Sequence, residues 1–173
     1  KSIFLVTNGQ EPDMIQKLQD EDALPTQLYL STNAADYESF MKINKPKYDD
    51  SWERWNKTLD MLKHLNTRTV LRITLIKDYN DQRESIPAFA EMFRKASPHF
   101  IEIKSYMHIG RSTNRLEHEN MLEMDEVKNF SEEIAKQSKI FSIMDESIIS
   151  RISILQNNER FIDRFISTYA NTI

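Results

Sequence analysis

Thr69-Val70-Leu71-Arg72-Ile73-Thr74-Leu75-Ile76 is the stretch on which the fold turns. It is the clearest strand of the chain, apolar except for Thr69, Arg72 and Thr74. Outward in the C-terminal direction, Ser85–Lys95 has the amphipathic spacing of a helix, with Pro87 in its first turn, where proline is tolerated. Phe100–Tyr106 is again a strand. In the other direction, Asp50 or Ser51 caps a long helix running to Leu65, whose stripe is Trp52, Trp55, Leu59, Leu62 and Leu65. Gln27–Ser31 and Ile3–Thr7 are two earlier strands, with helices over Asp13–Asp20 and Asp36–Ile43. Beyond a polar loop reaching Asn120, Glu123–Lys139 is helical, Ile140–Met144 and Arg151–Leu155 are strands, and Glu159–Ala170 is a terminal helix. Strands alternating with helices in this way predict βαβ units and a parallel sheet.

The 173 residues suffice for one domain with a sizeable core. The chain has no cysteine, so it builds no disulfide, thiolate zinc site or iron–sulfur cluster from its own residues. No apolar run approaches the ~20 residues of a membrane span. A net charge of −4 argues against a module that coats nucleic acid, without excluding a local basic patch. The two glycines, Gly9 and Gly110, each follow an apolar run where the chain must turn. A buried strand two residues after the first residue reads as a barrel whose earlier strands are missing; the alternative is a small complete α/β sandwich.

Several strands break the apolar rule near their C-terminal ends. The first ends in Thr7-Asn8-Gly9. The second carries Gln27, Tyr29 and Ser31 on one face, with Asn33 just beyond. The third joins Arg72 to Thr74, and the fourth joins Glu102, Lys104 and Tyr106. These positions recur with period two, so each set points one way. Burying such charges is costly unless they pair or reach solvent. Two readings stay open for the charges: a polar cavity at the mouth of a barrel, or an Arg72–Glu102–Lys104 ion-pair network. Asn8, Ser31 and Asn33 favour a ligand site, because strand-end loops are where barrels bind. The loop Met107–Asn120 holds Gly110, Arg111, Ser112, Asn114, Arg115 and His118; it reads either as a solvated connection or as a binder of phosphate or carboxylate. The four histidines are scattered, and no metal site is expected.

The segments Phe4–Gln10, Pro25–Ser31, Trp52–Arg54, Arg68–Lys77 and Phe100–Met107, with Gly110 and Asn114-Arg115-Leu116, resemble in order the later barrel of radical S-adenosylmethionine enzymes. Among these the chain is similar to the archaeal form of the tRNA-modifying 4-demethylwyosine synthase family of the wybutosine pathway. The resemblance covers roughly residues 1–155. It implies a partial parallel (β/α) barrel of the radical S-adenosylmethionine type over 1–155, lacking its N-terminal strands; residues 156–173, which the resemblance does not reach, are read from their spacing as a C-terminal helix. It implies S-adenosylmethionine and a 4Fe-4S cluster whose cysteine ligands lie outside this chain. The implied reaction is condensation of pyruvate with N1-methylguanosine-37 of phenylalanine tRNA, by a cytoplasmic, monomeric enzyme. This chain alone would be inactive; a different reaction on the same barrel, or a cluster-less binding module, are the alternatives.

Carried onto this sequence, the resemblance assigns Thr7, Asn8, Ser31, Asn33, Arg72 and Thr74 to the S-adenosylmethionine cleft. Glu102 and Lys104 face the substrate as catalytic groups, Arg111 and Arg115 meet tRNA, and no residue ligates metal. Asn33 stands where the family usually has aspartate, Asp78 where it often has glycine, and the histidine common near Met144–Ser147 is absent.

Overall fold

The computed structural model describes residues 1–166. The strands are β1 (Phe4–Thr7), β2 (Gln27–Ser31), β3 (Arg68–Leu75), β4 (Phe100–Ser105), β5 (Phe141–Ser147) and β6 (Ile152–Asn157); the helices are α1 (Pro12–Asp20), α2 (Tyr37–Asn44), α3 (Ser51–Met61), α4 (Ile86–Ala96) and α5 (Met124–Ser138). Short 3₁₀ turns follow α3, precede α4 and occupy Gly110–Asn114 and His118–Asn120. The fold is α/β, with a parallel-rich sheet ordered β1-β2-β3-β4-β6-β5.

β1 to β4 run parallel, each joined to the next by helical crossovers. The expected parallel sheet is corrected at its far side. β6 inserts between β4 and β5 and is antiparallel to both. The cause is the link between β5 and β6: residues 148–151 make a hairpin, whereas a parallel return needs a dozen residues or more. Among the described residues β1 and β5 are the edges of the sheet.

Strand alternation sorts the side chains. Leu28, Leu30, Leu71, Ile73, Leu75, Ile101, Ile103 and Leu155 are fully buried and belong to one core with Ile15, Trp55, Leu59, Phe89, Phe93, Val127 and Ile134 from the helices. The opposite face presents Tyr29, Ser31, Arg72, Thr74 and Lys104, all half-buried. A smaller cluster of Ile76, Tyr106 and Leu116 closes over the C-terminal ends of β3 and β4. Local signals set the helix ends. Asp36 accepts the Ser39 amide at 2.8 Å and caps α2. Glu123 and Glu126 form a capping box on α5. Asp50, expected to cap α3, instead accepts from Arg54 Nε at 2.9 Å.

The helix expected over Glu159–Ala170 does not form in its described part, Glu159–Ile166; residues 167–170 lie outside the described residues. Side chains of the sheet claim the backbone that a helix would use. Asn157 Oδ1 accepts the amides of Glu159 and Arg160, Gln156 donates to the Ile162 carbonyl, and Arg68 donates to the carbonyls of Asp163 and Arg164. The segment is thereby tied to the N-terminal ends of β3 and β4. Among the described residues no helix is long and apolar enough to cross a membrane.

At that same end, His99 Nδ1 accepts the Thr69 amide at 3.1 Å. Burial, then the charges of Arg160 and Arg68, lower the imidazole from 6.5 to about 4. The unfolded chain therefore binds the extra proton first. Stability is whole above about pH 6.5 and falls as pH drops to about 4, below which this contribution is exhausted. With a discount for partial exposure the loss is on the order of 2 kcal/mol. Urea unfolding at pH 7 and pH 4.5 measures it, and His99→Gln should reduce the difference between the two.

Candidate functional site

The site lies at the C-terminal ends of β1 and β2, where crossover sheets leave room for a ligand. β1 runs into a turn built by its own polar residues. Thr7 Oγ1 accepts the Gly9 amide at 3.0 Å, and Asn8 Oδ1 accepts the Gln10 amide at 3.3 Å. Gly9 has φ +76°, and a Cβ there would stand 2.7 Å from Leu30 Cδ1 and 3.1 Å from Trp55 Cδ1. Only glycine meets both the backbone angle and the packing. Thr58 Oγ1 donates to the Gly9 carbonyl at 2.8 Å, and Trp55 Nε1 to the Ser31 carbonyl at 3.0 Å, so α3 holds both strand ends.

These elements enclose a cavity of about 330 Å³ lined by Asn8, Gln10, Ser31 and Asn33, with Phe40, Asn44, Pro46, Lys47 and Tyr48 forming its outer wall. Three residues assigned from sequence, Asn8, Ser31 and Asn33, thus meet in one hollow, and Thr7 shapes the turn beside it. Larger hollows of about 410 and 710 Å³ lie among the helices and touch no strand end.

Asn33 also works structurally. Its Oδ1 accepts the Thr74 amide at 3.1 Å, and its carbonyl accepts from Asn80 Nδ2 at 2.9 Å. Asn80 additionally bridges the Thr74 carbonyl and the Ile76 amide. Asn80 is buried and escaped the sequence reading because its partners are main-chain atoms brought together only by folding. Gln10 was missed too. It is buried; Nε2 donates to the Ser51 carbonyl at 3.1 Å, while Oε1 has no partner among the described residues.

Arg72 and Thr74 do not line this cavity. They stand on the open face of the sheet, where Ser31, Arg72 and Glu102 share one register row and Thr74 faces Lys104 in the next but one. Arg72 Nε lies 2.8 Å from Glu102 Oε1, Nη2 donates to Oε2 at 3.2 Å, and the guanidinium sits 4.4 Å from the Tyr29 ring. Burial, then the Glu102 carboxylate, raises the Tyr29 phenol above its ordinary value, against the opposing pull of Arg72. The expected network is therefore a pair, Arg72 with Glu102. Lys104 makes no ion pair among the described residues and is half-buried at the strand end. It is also the one lysine that a strand carries there. Lys77, just past β3, is held by Glu126 at 2.6 Å.

The loop after β4 brings together groups not combined from sequence. The Tyr106 hydroxyl lies 3.2 Å from His108 Nδ1 and 3.2 Å from Ser112 Oγ, and the His108 ring packs edge-on to His118. Arg111 and Arg115 are exposed on this loop, away from the cavity and without an ion pair among the described residues. No group of three or more metal-ligating side chains occurs among the described residues.

A strand-end cavity on a parallel-rich α/β sheet defines the general class, and solved structures sharpen it. Coproporphyrinogen III oxidase (HemN) from Escherichia coli, a radical SAM enzyme, shares the fold at TM-score 0.56 and 13% identity, over 92% of this chain and 35% of that one. A structure of TYW1 with a lysine-pyruvate adduct bound aligns at TM-score 0.81 and 40% identity, covering 93% of this chain and 49% of that one. The family described as wyosine base formation matches residues 95–157. The tRNA 4-demethylwyosine synthase of Methanocaldococcus jannaschii is 41% identical over 162 residues, 92% of this chain and 48% of that protein. That of Pyrococcus abyssi is 38% identical over 156 residues, 90% and 45% respectively. By sequence and fold, the chain is homologous to the S-adenosyl-L-methionine-dependent tRNA 4-demethylwyosine synthases. It spans about half the length of these two archaeal relatives.

Proposed function

We propose that this chain is the later part of a radical S-adenosylmethionine enzyme that condenses pyruvate with N1-methylguanosine-37 of phenylalanine tRNA to form 4-demethylwyosine. The observation that carries the reading is the homology over nine-tenths of the chain to synthases of that name. The archaeal relatives are about twice as long, and among the described residues β1 leaves one edge unpaired, with Phe4 and Val6 exposed. Both fit a partial (β/α) barrel continued by strands outside this chain. The enzyme is proposed to act as a monomer in the cytoplasm.

The cavity fits S-adenosylmethionine in chemistry: carboxamides, a hydroxyl and a cation line it. Asn8, Ser31 and Asn33 would hold the cofactor, with Thr7 setting the turn and Arg72 and Thr74 supporting the neighbouring strand. The residues of this chain do not fit a 4Fe-4S cluster, because none is cysteine; its ligands are assigned to residues outside the chain. Once bound together, the two groups supply a radical, and the protein orients and shields the reacting atoms.

A TYW1 structure holds a lysine-pyruvate adduct. In this chain Lys104 is the candidate for that role, and Glu102 is the carboxylate beside it on the same face. The amine adds to the ketone of pyruvate and water leaves, so an ammonium and a ketone become an iminium and one water. Glu102 is already committed to Arg72, which holds both side chains in place.

Arg111 and Arg115 are proposed to contact tRNA phosphates, with the modified base presented out of its stack. The complete, cluster-loaded enzyme should convert N1-methylguanosine tRNA in the presence of pyruvate and S-adenosylmethionine; no conversion with any of these omitted is the matching control. Arg111→Ala with Arg115→Ala should weaken tRNA binding and lower the slope of log K against log salt by about 1 to 2. An unchanged slope removes that loop from the tRNA surface, and failure to convert the tRNA by a fully loaded enzyme removes the reaction.

A further inference from the structure

The tip of the β5–β6 hairpin carries two isoleucines that no assignment above uses. Ile148 is 75% exposed and Ile149 is 97% exposed. Turns are ordinarily built from Gly, Pro, Asn, Asp and Ser, and a β-branched apolar side chain held in water at a turn gains nothing for the fold. The tip is nonetheless firmly built. The Arg151 amide donates to the Ile148 carbonyl at 3.2 Å, and Arg151 takes φ +49°, the left-handed position that such a hairpin loop usually gives to glycine. Three contacts hold it there. Its carbonyl accepts the Ser105 amide at 3.0 Å, Nη1 donates to the Leu122 carbonyl at 3.1 Å, and Nη2 lies 3.1 Å from Glu123 Oε2. The isoleucines are thus presented on a braced turn.

Their place in the sheet gives them a neighbour. β6 is antiparallel to β4, with Ile152 opposite Lys104, so the tip stands at the C-terminal end of β4. That is the end at which the parallel strands carry the candidate site. The loop leaving β4 starts there too, with Met107 and Ile109 exposed, and residues 107–116 include Arg111 and Arg115 but no acidic residue. The acidic residues beside the tip are each matched by a cation: Asp145 by Arg164, Glu146 by Lys128 and Glu123 by Arg151. Exposed apolar side chains next to exposed arginines suit a looped, single-stranded nucleic acid, whose phosphates attract cations and whose unstacked bases need cover. A second copy of the chain fits less well, because these four side chains offer less than the ~800 Å² per partner of a stable interface.

We infer that Ile148 and Ile149 form a wedge that enters the anticodon loop beside position 37 and covers the base step left open when the target guanosine is drawn out. Given the proposal that tRNA is the substrate, on which this rests, the wedge is the group that keeps the stack open, while Arg111 and Arg115 supply charge.

The test uses the full-length enzyme and an anticodon stem-loop with N1-methylguanosine at position 37 and 2-aminopurine at position 38, a base that brightens when its neighbour leaves the stack. The wild type should brighten the probe on binding. Ile148→Ser with Ile149→Ser should melt at the wild-type temperature, bind the stem-loop about ten-fold or more weakly, keep the wild-type salt slope, since no charge is removed, and lose most of the brightening. Ile148→Leu with Ile149→Leu should restore affinity and brightening together. Wild-type affinity and full brightening in the serine variant overturn the wedge. So does a lowered melting temperature with unchanged binding, which would mean that protein outside this chain covers the isoleucines. A wild-type dimer that the serine variant splits makes the tip an interface between copies and overturns it as well. If the wild type itself binds no stem-loop, the tRNA reading fails first and the wedge falls with it.

Discussion

Lys104→Ala in the complete enzyme should abolish the pyruvate adduct that borohydride traps, and lower turnover by about three orders of magnitude or more. The reason is positional. Lys104 is on β4, paired across the ladder with Thr74, on the open face that also carries Arg72 and Glu102. It is half-buried, and no carboxylate among the described residues pairs with it. Lys77, just past the end of β3, is bound to Glu126. A lysine held in an ion pair must break that pair before its amine can attack, whereas Lys104 has none to break. Lys104→Arg is the sharper variant. It keeps the charge and most of the packing, yet a guanidinium stays protonated and forms no iminium. Mass spectrometry of the peptide carrying reduced pyruvate identifies the residue directly. Recovery of the label on another lysine, or full trapping in Lys104→Arg, would sink the assignment while leaving the fold untouched.

The largest effect on stability is expected at Trp55. Its side chain is 1% exposed and stacks on Trp52 at 5.4 Å, with Phe40 5.8 Å away. Its ring edge fills the space that Gly9 leaves open, and its Nε1 satisfies the Ser31 carbonyl. Trp55→Ala should cost about 3–5 kcal/mol, a large share of a stability of roughly 5–15 kcal/mol. Because the same ring braces the ends of β1 and β2, S-adenosylmethionine should bind poorly even where the variant stays folded. Trp55→Phe should fall between the two, since it restores volume but leaves the Ser31 carbonyl without its donor. Denaturant unfolding measures the first effect and ligand-induced melting shifts the second. A loss under about 1 kcal/mol for Trp55→Ala would show that the brace is not needed.

Much of this was written locally. β2 and α5 follow directly from apolar runs and capping residues. β3 likewise shows its direction of burial in the alternation of Val70, Arg72 and Thr74 against Leu71, Ile73 and Leu75. Asn8, Ser31 and Asn33 stood out because polar residues at strand ends contradict an otherwise apolar pattern, and that contradiction survives in any arrangement of the sheet.

Where the sequence stopped being informative, contacts between distant residues were deciding. The ladder bonds of a sheet are main-chain bonds, so a strand pattern does not name its neighbour; β6 lies antiparallel between β4 and β5 because a four-residue link cannot cross over. The pairing of Arg72 with Glu102, thirty residues apart, required the β3–β4 register to be set first. The Glu159–Ile166 segment has helical spacing, yet Arg68, Gln156 and Asn157 offer its backbone partners from outside. Composition and periodicity determined the position of the strands and of the helices up to α5, and which strand ends are polar, because these follow from the nearest few side chains; they did not determine the burial of β1, expected to be buried and found exposed, or the fate of Glu159–Ile166. Only the tertiary structure decided strand order, ion-pair partners and the unpartnered acceptor of Gln10, because each depends on groups that the chain brings together from afar.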